Sequence, residues 1–242
     1  VYPISQAMAV DFMKKFPKVN VTVGVSGTGG GFKRFSAGET DVSDASRPIK
    51  DSEFAKCKEA GVDFIEIPVA YDGLSIVIHP ENDFVEELTI GDLKKIFLAP
   101  GAKTWKEVNE NWPDEAIKVY APGQDSGTYD YFFGDVVNKD EEGQPRDEGV
   151  SFNEDDNALV DGVAREKYAI GFFGCSYYFE NMERLKAAPI VDPATGKAVS
   201  PTEETIESGE YAPFSRPLFI YLKGKSLESP AMKQFAEFYL SN

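Results

Sequence analysis

The chain has 242 residues, of which 42% are hydrophobic and 27% charged, a globular composition sufficient for one large domain or two small ones. The net charge of −16 argues against nucleic-acid binding, which needs a basic face. The sequence contains no run of about 18 apolar residues, the length that spans a membrane. The chain starts at Val1 without Met, so we expect that a leader has been removed or left out.

The predicted elements alternate between strand and helix, which is typical of an α/β fold. In chain order, the first are a helix through Met8, Phe12 and Phe16, a strand over Val19–Val25, a helix with Phe32 and Phe35 on one face, a helix capped by Asp51 or Ser52 that stops at Gly61, and strands over Phe64–Val69 and Leu74–Ile78.

The second half of the chain continues this alternation and shows no internal repeat. Its predicted elements are a helix capped by Thr89 and Asp92, a strand over Ile117–Ala121, a helix carrying Tyr129, Phe132, Phe133 and Val136, a charged surface loop over residues 138–150, a strand over Ala169–Phe173, a helix begun by a capping box at Ser200-Pro201-Thr202-Glu203, a strand over Phe219–Leu222, and a last helix from Ser229-Pro230.

Two turns share one design, in which a strand ends, small residues follow and a helix begins. The glycine-rich turn is Ser26-Gly27-Thr28-Gly29-Gly30-Gly31, and the second turn is Asp125-Ser126-Gly127-Thr128. The first turn of a helix has unsatisfied N–H groups and a positive dipole end, so an anion binds there readily. A glycine-rich turn is also common for structural reasons alone, but two hydroxyl-rich turns favour an anion site.

A third segment, Asp41–Ile49, places Ser46 and Arg47 at a predicted strand end. The planar guanidinium of arginine matches the oxygens of a phosphate group. The alternative is a surface arginine paired with one of the many acidic residues of the chain.

The residues that usually carry catalysis or bind metals are scarce. His79 is the only histidine, and the pattern around it fits a residue at the end of a strand. Cys57 and Cys175 lie far apart in the sequence, so either a disulfide or two unrelated thiols would fit. A zinc site or a metal cofactor is therefore not predicted. A hydrolase that uses Ser126 or Thr128 as its nucleophile remains the alternative from another class, although no neighbouring base is evident.

Taken together, these motifs resemble the phosphate-binding proteins of Pst-type ABC transporters, in the subgroup found in cyanobacteria and some other bacteria. The resemblance rests on the two turns, on the segment Asp41–Ile49, on Leu88–Lys94 with Trp105, and on Ala169-Ile170-Gly171-Phe172 and Val199–Glu204. It runs in order over nearly the whole chain, which is more specific than any single motif.

The resemblance implies a two-lobed periplasmic-binding-protein fold of type II, in which each lobe is a mixed sheet flanked by helices and the ligand lies in the cleft. The expected lobes are residues 1–75 plus 217–242, and residues 76–216. It further implies a monomeric receptor outside the cytoplasm, free or membrane-tethered, that delivers phosphate to membrane permease subunits. It implies no enzymatic activity. A sensor, or a receptor for another oxyanion such as sulfate, remains open.

The resemblance also implies the ligand residues. Ser126, Gly127 and Thr128 match the serine-glycine-threonine ligands of the family. In the glycine-rich turn Thr28 is the best match, with Ser26 as its rival and Gly29 beside it, and Ser46 and Arg47 complete the predicted set.

Three departures from the family pattern matter. The family's Thr or Ser ligand at the first helix would fall before Val1. Many members carry an arginine shortly before the serine-glycine-threonine turn, where this chain has Ala121–Gln124, so we expect Arg47 to supply the guanidinium through a two-pronged contact. Ser46 replaces an acceptor aspartate, so we expect weaker rejection of sulfate unless another acceptor, Asp44, Asp125 or Gln124, takes its place.

Overall fold

The computed structural model describes residues 1–124, 126–140 and 143–241. The chain forms two compact units. The first unit consists of Val1–Tyr71 and Pro217–Asn242, and the second of Asp72–Arg216. The sequence-based division placed the first boundary slightly later, after residue 75, and Asp125, Glu141, Glu142 and Asn242 lie outside the described residues.

The helices begin and end at the following residues: α1 Tyr2–Lys15, α2 Thr28–Ser36, α3 Asp51–Glu59, α4 Ile90–Phe97, α5 Trp105–Val108, α6 Gly127–Asp130, a π-helix Tyr131–Val137, α7 Asp156–Arg165, α8 Cys175–Phe179, α9 Glu203–Glu207, a 3₁₀ helix Gly224–Glu228 and α10 Pro230–Leu240. The strands are β1 Val42–Ala45, β2 Phe64–Ile78, β3 Lys118–Ala121, β4 Val150–Phe152, β5 Ala169–Gly174, β6 Lys186–Ala187, β7 Ile190–Val191, β8 Ala198–Val199 and β9 Ser215–Lys223. Within the described residues, no helix has both the length and the apolar character needed to cross a membrane.

In the first unit, strand β9 has helices packed on both of its faces. It pairs antiparallel with β1, so that Ala45 lies opposite Phe219. Ile220 and Leu222 pack with residues of α1 and α10, whereas Phe219 and Tyr221 pack with residues of α2 and α3. Because side chains alternate along a strand, these two sets lie on opposite faces. The first unit is therefore a helix–sheet–helix arrangement.

In the second unit, the strand order is β2-β5-β3-β4. Strand β5 pairs antiparallel with β2 and parallel with β3, which makes the sheet mixed. Phe172 packs on one face of the sheet and Phe173 on the other. The ring of Phe132 stacks on that of Phe172 with centroids 3.8 Å apart, which fixes the π-helix against the sheet. The predicted α/β class is confirmed.

The predicted strand over Val19–Val25 is wrong. No strand is assigned among these residues, although every second residue from Val19 to Val23 is partly buried. Val19 and Val21 pack against the core of the first unit, while Val25 is 74% exposed. The alternation therefore marks an extended segment with one face on the core, without the backbone hydrogen bonds that make a strand.

Four other local predictions need correction. The two strands predicted over 64–69 and 74–78 form the single strand β2, and the helix predicted to be capped by Asp51 or Ser52 has Lys50 at its cap. The capping box predicted from Ser200 lies two residues later, because Thr202 accepts from the Thr205 amide. Residues 138–150 are not entirely surface, since Arg146 is 7% exposed and donates to the Ile96 and Ala102 carbonyls.

Candidate functional site

The glycine-rich turn leads into α2 in the first unit. Thr28 is the first helical residue, and the residue before it, Gly27, makes no side-chain cap. A Cβ added to Gly27 or Gly29 would meet nothing within 4 Å, so packing does not demand glycine at either position. The amides of the first helical turn have no acceptor within the helix. This open helix start therefore suits an anion.

The next two glycines of the turn have a packing role. A Cβ on Gly31 would lie 2.9 Å from the Ser43 Oγ, and a Cβ on Gly30 would lie 3.2 Å from the Cβ of Ser26. The hydroxyl of Ser43, on β1, is buried between these elements. The glycine run thus combines an exposed helix start with close packing of α2 on β1.

Thr28 and Ser46 are brought together, although they are far apart in the sequence. Their hydroxyl oxygens are 3.1 Å apart, and the Ser46 amide donates to the Thr28 Oγ1 over 3.2 Å. Two of the residues predicted to bind the anion therefore form one hydroxyl pair at the end of β1. The Ser26 side chain lies instead against Gly30, where an added Cβ would be 3.2 Å from the Cβ of Ser26.

The guanidinium of Arg47 forms a two-pronged pair with the Glu53 carboxylate. Its Nη1 and Nη2 donate to Glu53 Oε2 and Oε1, each over 2.8 Å, and Glu53 Oε2 also accepts from the Lys50 amide. Burial alone would raise the pKa of Glu53, but the hydrogen bonds from Arg47 and Lys50 lower it overall. A two-pronged contact between Arg47 and phosphate would require this pair to open.

The serine-glycine-threonine turn (Ser126, Gly127 and Thr128) starts α6 in the second unit. Ser126 is the cap residue, and its Oγ accepts from the Thr128 amide over 3.1 Å. Because the Ser126 oxygen accepts, its O–H remains a donor for an anion oxygen. Helix α6 continues directly into the π-helix. Single π-turns within helices are frequent at functional sites.

Sequence reasoning missed the reason for the glycine before this turn. A Cβ built on Gly123 would overlap the Glu154 carboxylate, so this carboxylate lies against the Gly123 backbone. A larger residue at position 123 would displace Glu154. The contact joins residues 31 positions apart (154 − 123), and the sequence contained no signal for it.

Asp44, Gln124 and Asp125 are the three residues considered as replacements for the family's acceptor aspartate. Burial raises the pKa of Asp44 overall, although a hydrogen bond from Ser5 opposes this, so its carboxylate lies at the first turn of α1. Gln124 forms a hydrogen bond with Tyr129. Asp125 lies outside the described residues. The predicted ligand roles of all the residues in both turns stay predictions.

The remaining residues considered in the sequence analysis are one histidine and two cysteines. His79 follows the end of β2, and its Nδ1 accepts from the Glu81 amide, as expected of a strand-end residue. Cys57 and Cys175 are buried free thiols. In the part of the chain that the structure describes, no group of three or more His, Cys, Asp or Glu side chains is arranged to hold a metal ion.

Comparison with known proteins identifies the family. The model of the PBP superfamily domain matches residues 1–242. Phosphate-binding protein PstS of Staphylococcus epidermidis is 43% identical over 243 residues, which are 100% of this chain and 72% of the relative. The chain belongs to the PstS family of phosphate-binding proteins. The resemblance predicted from the sequence is thus confirmed. Protein SphX of Synechococcus elongatus is another PstS-like relative, 46% identical over 100% of this chain and 71% of its own length.

Solved structures agree with this membership. A possible phosphate-binding protein from Planctomyces limnophilus has a TM-score of 0.89 and 48% identity, over 98% of this chain and 83% of that chain. A candidate phosphate ABC transporter substrate-binding protein from Clostridium perfringens, solved with bound phosphate, has a TM-score of 0.64 and 28% identity, over 98% and 88% of the two chains. The predicted periplasmic-binding-protein fold of the PstS family is confirmed.

Proposed function

We propose that the chain is a receptor outside the cytoplasm that binds inorganic phosphate and delivers it to the permease subunits of an ABC transporter. The observation that supports this most directly is the pair of hydroxyl-bearing helix starts, one in each unit, in a chain of the PstS family. The Staphylococcus epidermidis relative is named a phosphate-binding protein, and the Clostridium perfringens structure contains phosphate.

In the second unit, three groups can donate to a phosphate oxygen. The Gly127 amide belongs to the first helical turn and has no intrahelical acceptor. The hydroxyl of Thr128 is partly buried, and the hydroxyl of Ser126 is oriented by its bond from the Thr128 amide. Backbone and hydroxyl donors can bind an anion without adding a mobile charge.

In the first unit, the proposed ligands are the Thr28–Ser46 hydroxyl pair, the Gly29 amide and, as its rival, the Ser26 hydroxyl. Thr28 Oγ1 accepts from the Ser46 amide, so a hydroxyl hydrogen of the pair remains available to an anion. Arg47 adds a positive charge next to Ser46, although its Nη atoms pair with Glu53.

The acidic net charge of −16 is compatible with this function. Surface charges are screened over about 8–10 Å in salt solution, whereas the amide and hydroxyl dipoles act at contact distance. Local donors therefore decide the affinity, and the acidic surface affects mainly solubility and the rate of encounter.

We further propose that the protein acts as a monomer and does not convert its ligand chemically. A receptor of this kind needs only donors that hold phosphate, whereas a hydrolase would need a base that activates Ser126 or Thr128. The described surroundings of Ser126 and Thr128 contain hydrogen bonds to backbone amides and carbonyls, and no histidine.

Titration calorimetry with phosphate, with and without a chelator, tests the proposal. We expect saturable binding of one phosphate in both conditions and a rise in melting temperature, because the ligand binds only the folded state. A chromogenic phosphate ester should not be turned over. Absence of binding at millimolar phosphate in a chain that includes the residues before Val1 would contradict the proposed function.

A further inference from the structure

Arg216, the last residue of the second unit, is a largely buried cation held by two neighbouring elements. Its Nε and Nη2 both donate to Asp72 Oδ2 over 3.2 Å. Its guanidinium carbon lies 3.7 Å from the centroid of the Tyr131 ring, within the range of a strong cation–π contact. Its Nη1 lies 3.9 Å from Asp135 Oδ2. The Arg216 side chain is 16% exposed, so its position is well determined by these contacts.

Tyr131 connects this cation to the serine-glycine-threonine turn. Tyr131 follows Gly127 by four residues and Thr128 by three, so the three residues share one face of the helix. Helical side chains lean toward the N-terminus of their helix, so the Tyr131 ring covers the turn that precedes it. The guanidinium of Arg216 therefore contacts a residue one helical turn after Gly127 and Thr128.

The Tyr131 ring is fixed in this position. It is 6% exposed, and its hydroxyl donates to the Pro213 carbonyl oxygen over 2.6 Å. Burial raises the pKa of Tyr131, although the nearby Arg216 charge opposes this, so the hydroxyl remains a donor. The ring cannot turn away from the helix start without breaking this bond.

Two carboxylates oppose the positive charge of Arg216. Its two carboxylate partners, Asp72 and Asp135, are 40% and 56% exposed, so solvent screens their charges more than it screens the buried guanidinium. The guanidinium contacts Tyr131, one helical turn from the helix start, and its charge has the same sign as the dipole at that helix end, which favours an anion.

We propose that Arg216 is the cationic positioning residue of the serine-glycine-threonine turn, which it supports by fixing Tyr131 and by stabilising the charge of the bound anion. This inference rests on the proposed function of the turn. The competing explanation is that Arg216 only ties together strands β2 and β9 through Asp72. The two explanations differ in how the effect of Arg216 depends on the charge of the ligand.

The experiment measures phosphate affinity by calorimetry on both sides of the second ionisation of phosphate, in wild type, Arg216→Gln and Arg184→Gln. Arg184 is the matched control, because it is an arginine of the same unit that also pairs with an aspartate, Asp161. We expect Arg216→Gln to weaken binding of the dianion by on the order of tenfold and that of the monoanion by less. Arg184→Gln should leave both affinities unchanged.

Ionisation of neighbouring side chains should not interfere with the comparison of monoanion and dianion binding. The titratable side chains around the guanidinium and the Tyr131 ring include Asp72, Asp135, Tyr131, Cys175 and Tyr211, and burial raises the pKa of Tyr211. Burial raises the pKa of Cys175 to about 12 and also raises that of Tyr131, so both stay protonated while phosphate ionises.

Asp72→Asn is expected to change phosphate affinity in the opposite direction to Arg216→Gln. It keeps the proposal falsifiable if Arg216→Gln does not fold. Asparagine retains an acceptor oxygen but removes the charge that opposes Arg216, so dianion binding should become tighter. An equal effect of Arg216→Gln on both ionisation states, no effect at all, or weaker binding in Asp72→Asn would overturn the inference. If wild type itself does not bind phosphate, the proposed function falls as well, which separates the two failures.

Discussion

The two turns proposed to bind the anion differ in how their donors are held. In the second unit, the cap hydroxyl of Ser126 and the amide it orients, Thr128, are two residues apart in the chain. In the first unit, Thr28 is oriented by Ser46, which lies 18 residues away, directly after β1. The first turn therefore depends on the packing of α2 against β1, whereas the second depends on local helix capping.

This difference indicates which substitutions should change phosphate affinity without changing the stability of the fold. A substitution in the local turn removes a donor and leaves the sheet and core in place. A substitution that separates α2 from β1 removes the Thr28–Ser46 pair and also loosens the first unit, because Phe32, Phe35 and Ala45 share one buried cluster. Affinity and stability should therefore change together in the first unit, whereas in the second unit a change at Thr128 should act on affinity alone.

The largest effect is expected from removing single hydroxyls of the second turn. Thr128→Val keeps the shape of the side chain but deprives a phosphate oxygen of its donor, which costs roughly 1.5–3 kcal/mol, or about ten- to a hundredfold in affinity. Ser126→Ala should cost a similar amount and also remove the helix cap. Calorimetric titration measures both. Thr104→Val, where the threonine makes no capping bond, serves as the control. Wild-type affinity in both variants would locate the anion elsewhere.

The dependence of the first turn on packing can be broken with Gly31→Ala. Its Cβ would lie 2.9 Å from the buried Ser43 Oγ, so the Ser43 side chain must turn or α2 must shift away from β1. Such overpacking costs about 1–3 kcal/mol of the free energy of unfolding, and phosphate binding should weaken with it. Urea unfolding measures the stability. Gly29→Ala, where the added Cβ meets nothing within 4 Å, should not destabilise the fold. Equal stability of the two variants would contradict this packing role.

The same distinction explains how much could be predicted from the sequence. Capping and small-residue turns are local, so the starts of α4, α6 and α10 were predicted at the right residues, whereas α2 begins at Thr28, inside the predicted glycine-rich turn. Family resemblance provided the fold. The alternation over Val19–Val25 misled because it reports burial of one face, and a strand also requires a partner for its backbone.

Contacts between distant residues were the part that sequence reasoning could not provide. Tyr131 and Arg216 are 85 residues apart (216 − 131), and nothing in the pattern around either residue indicates the other. Glu53 offered a weak signal, as an acidic residue in the first turn of the helix after Arg47. The alternative that Arg47 pairs with an acid was considered, but the sequence did not identify which acid.

A smaller effect is expected from the Arg47–Glu53 pair, which belongs to the first unit. Because the pKa of folded Glu53 lies below its ordinary value of 4.5, ionised Glu53 stabilises the fold above that pH, and this stabilisation is lost as the pH falls through the folded value. Glu53→Gln should therefore lower the free energy of unfolding at neutral pH, and the difference from wild type should shrink on acidification. Urea titrations at several pH values measure it, with Glu59→Gln in the same helix as control. A difference independent of pH would contradict the role of the charge.

The smallest effect concerns the choice between phosphate and sulfate at Ser46. The Thr28 oxygen accepts from the Ser46 amide and lies 3.1 Å from the Ser46 hydroxyl, so Thr28 can donate to Ser46 and leave the Ser46 hydrogen for the ligand. A serine used in this way donates to sulfate as readily as to phosphate. An ionised aspartate only accepts, so it would repel sulfate, which has no proton to donate, and would accept the proton of phosphate.

We therefore expect wild type to reject sulfate less strongly than Ser46→Asp, by roughly the tenfold that one hydrogen bond to a charged group provides. Competition of sulfate against bound phosphate, measured by calorimetry in both proteins, gives the ratio of the two affinities. Ser43→Ala, a substitution on the same strand that faces α2, controls for general disturbance of β1. If wild type already excludes sulfate as strongly as Ser46→Asp, another acceptor is present, and Asp44→Asn would then show whether the carboxylate at the first turn of α1 provides it.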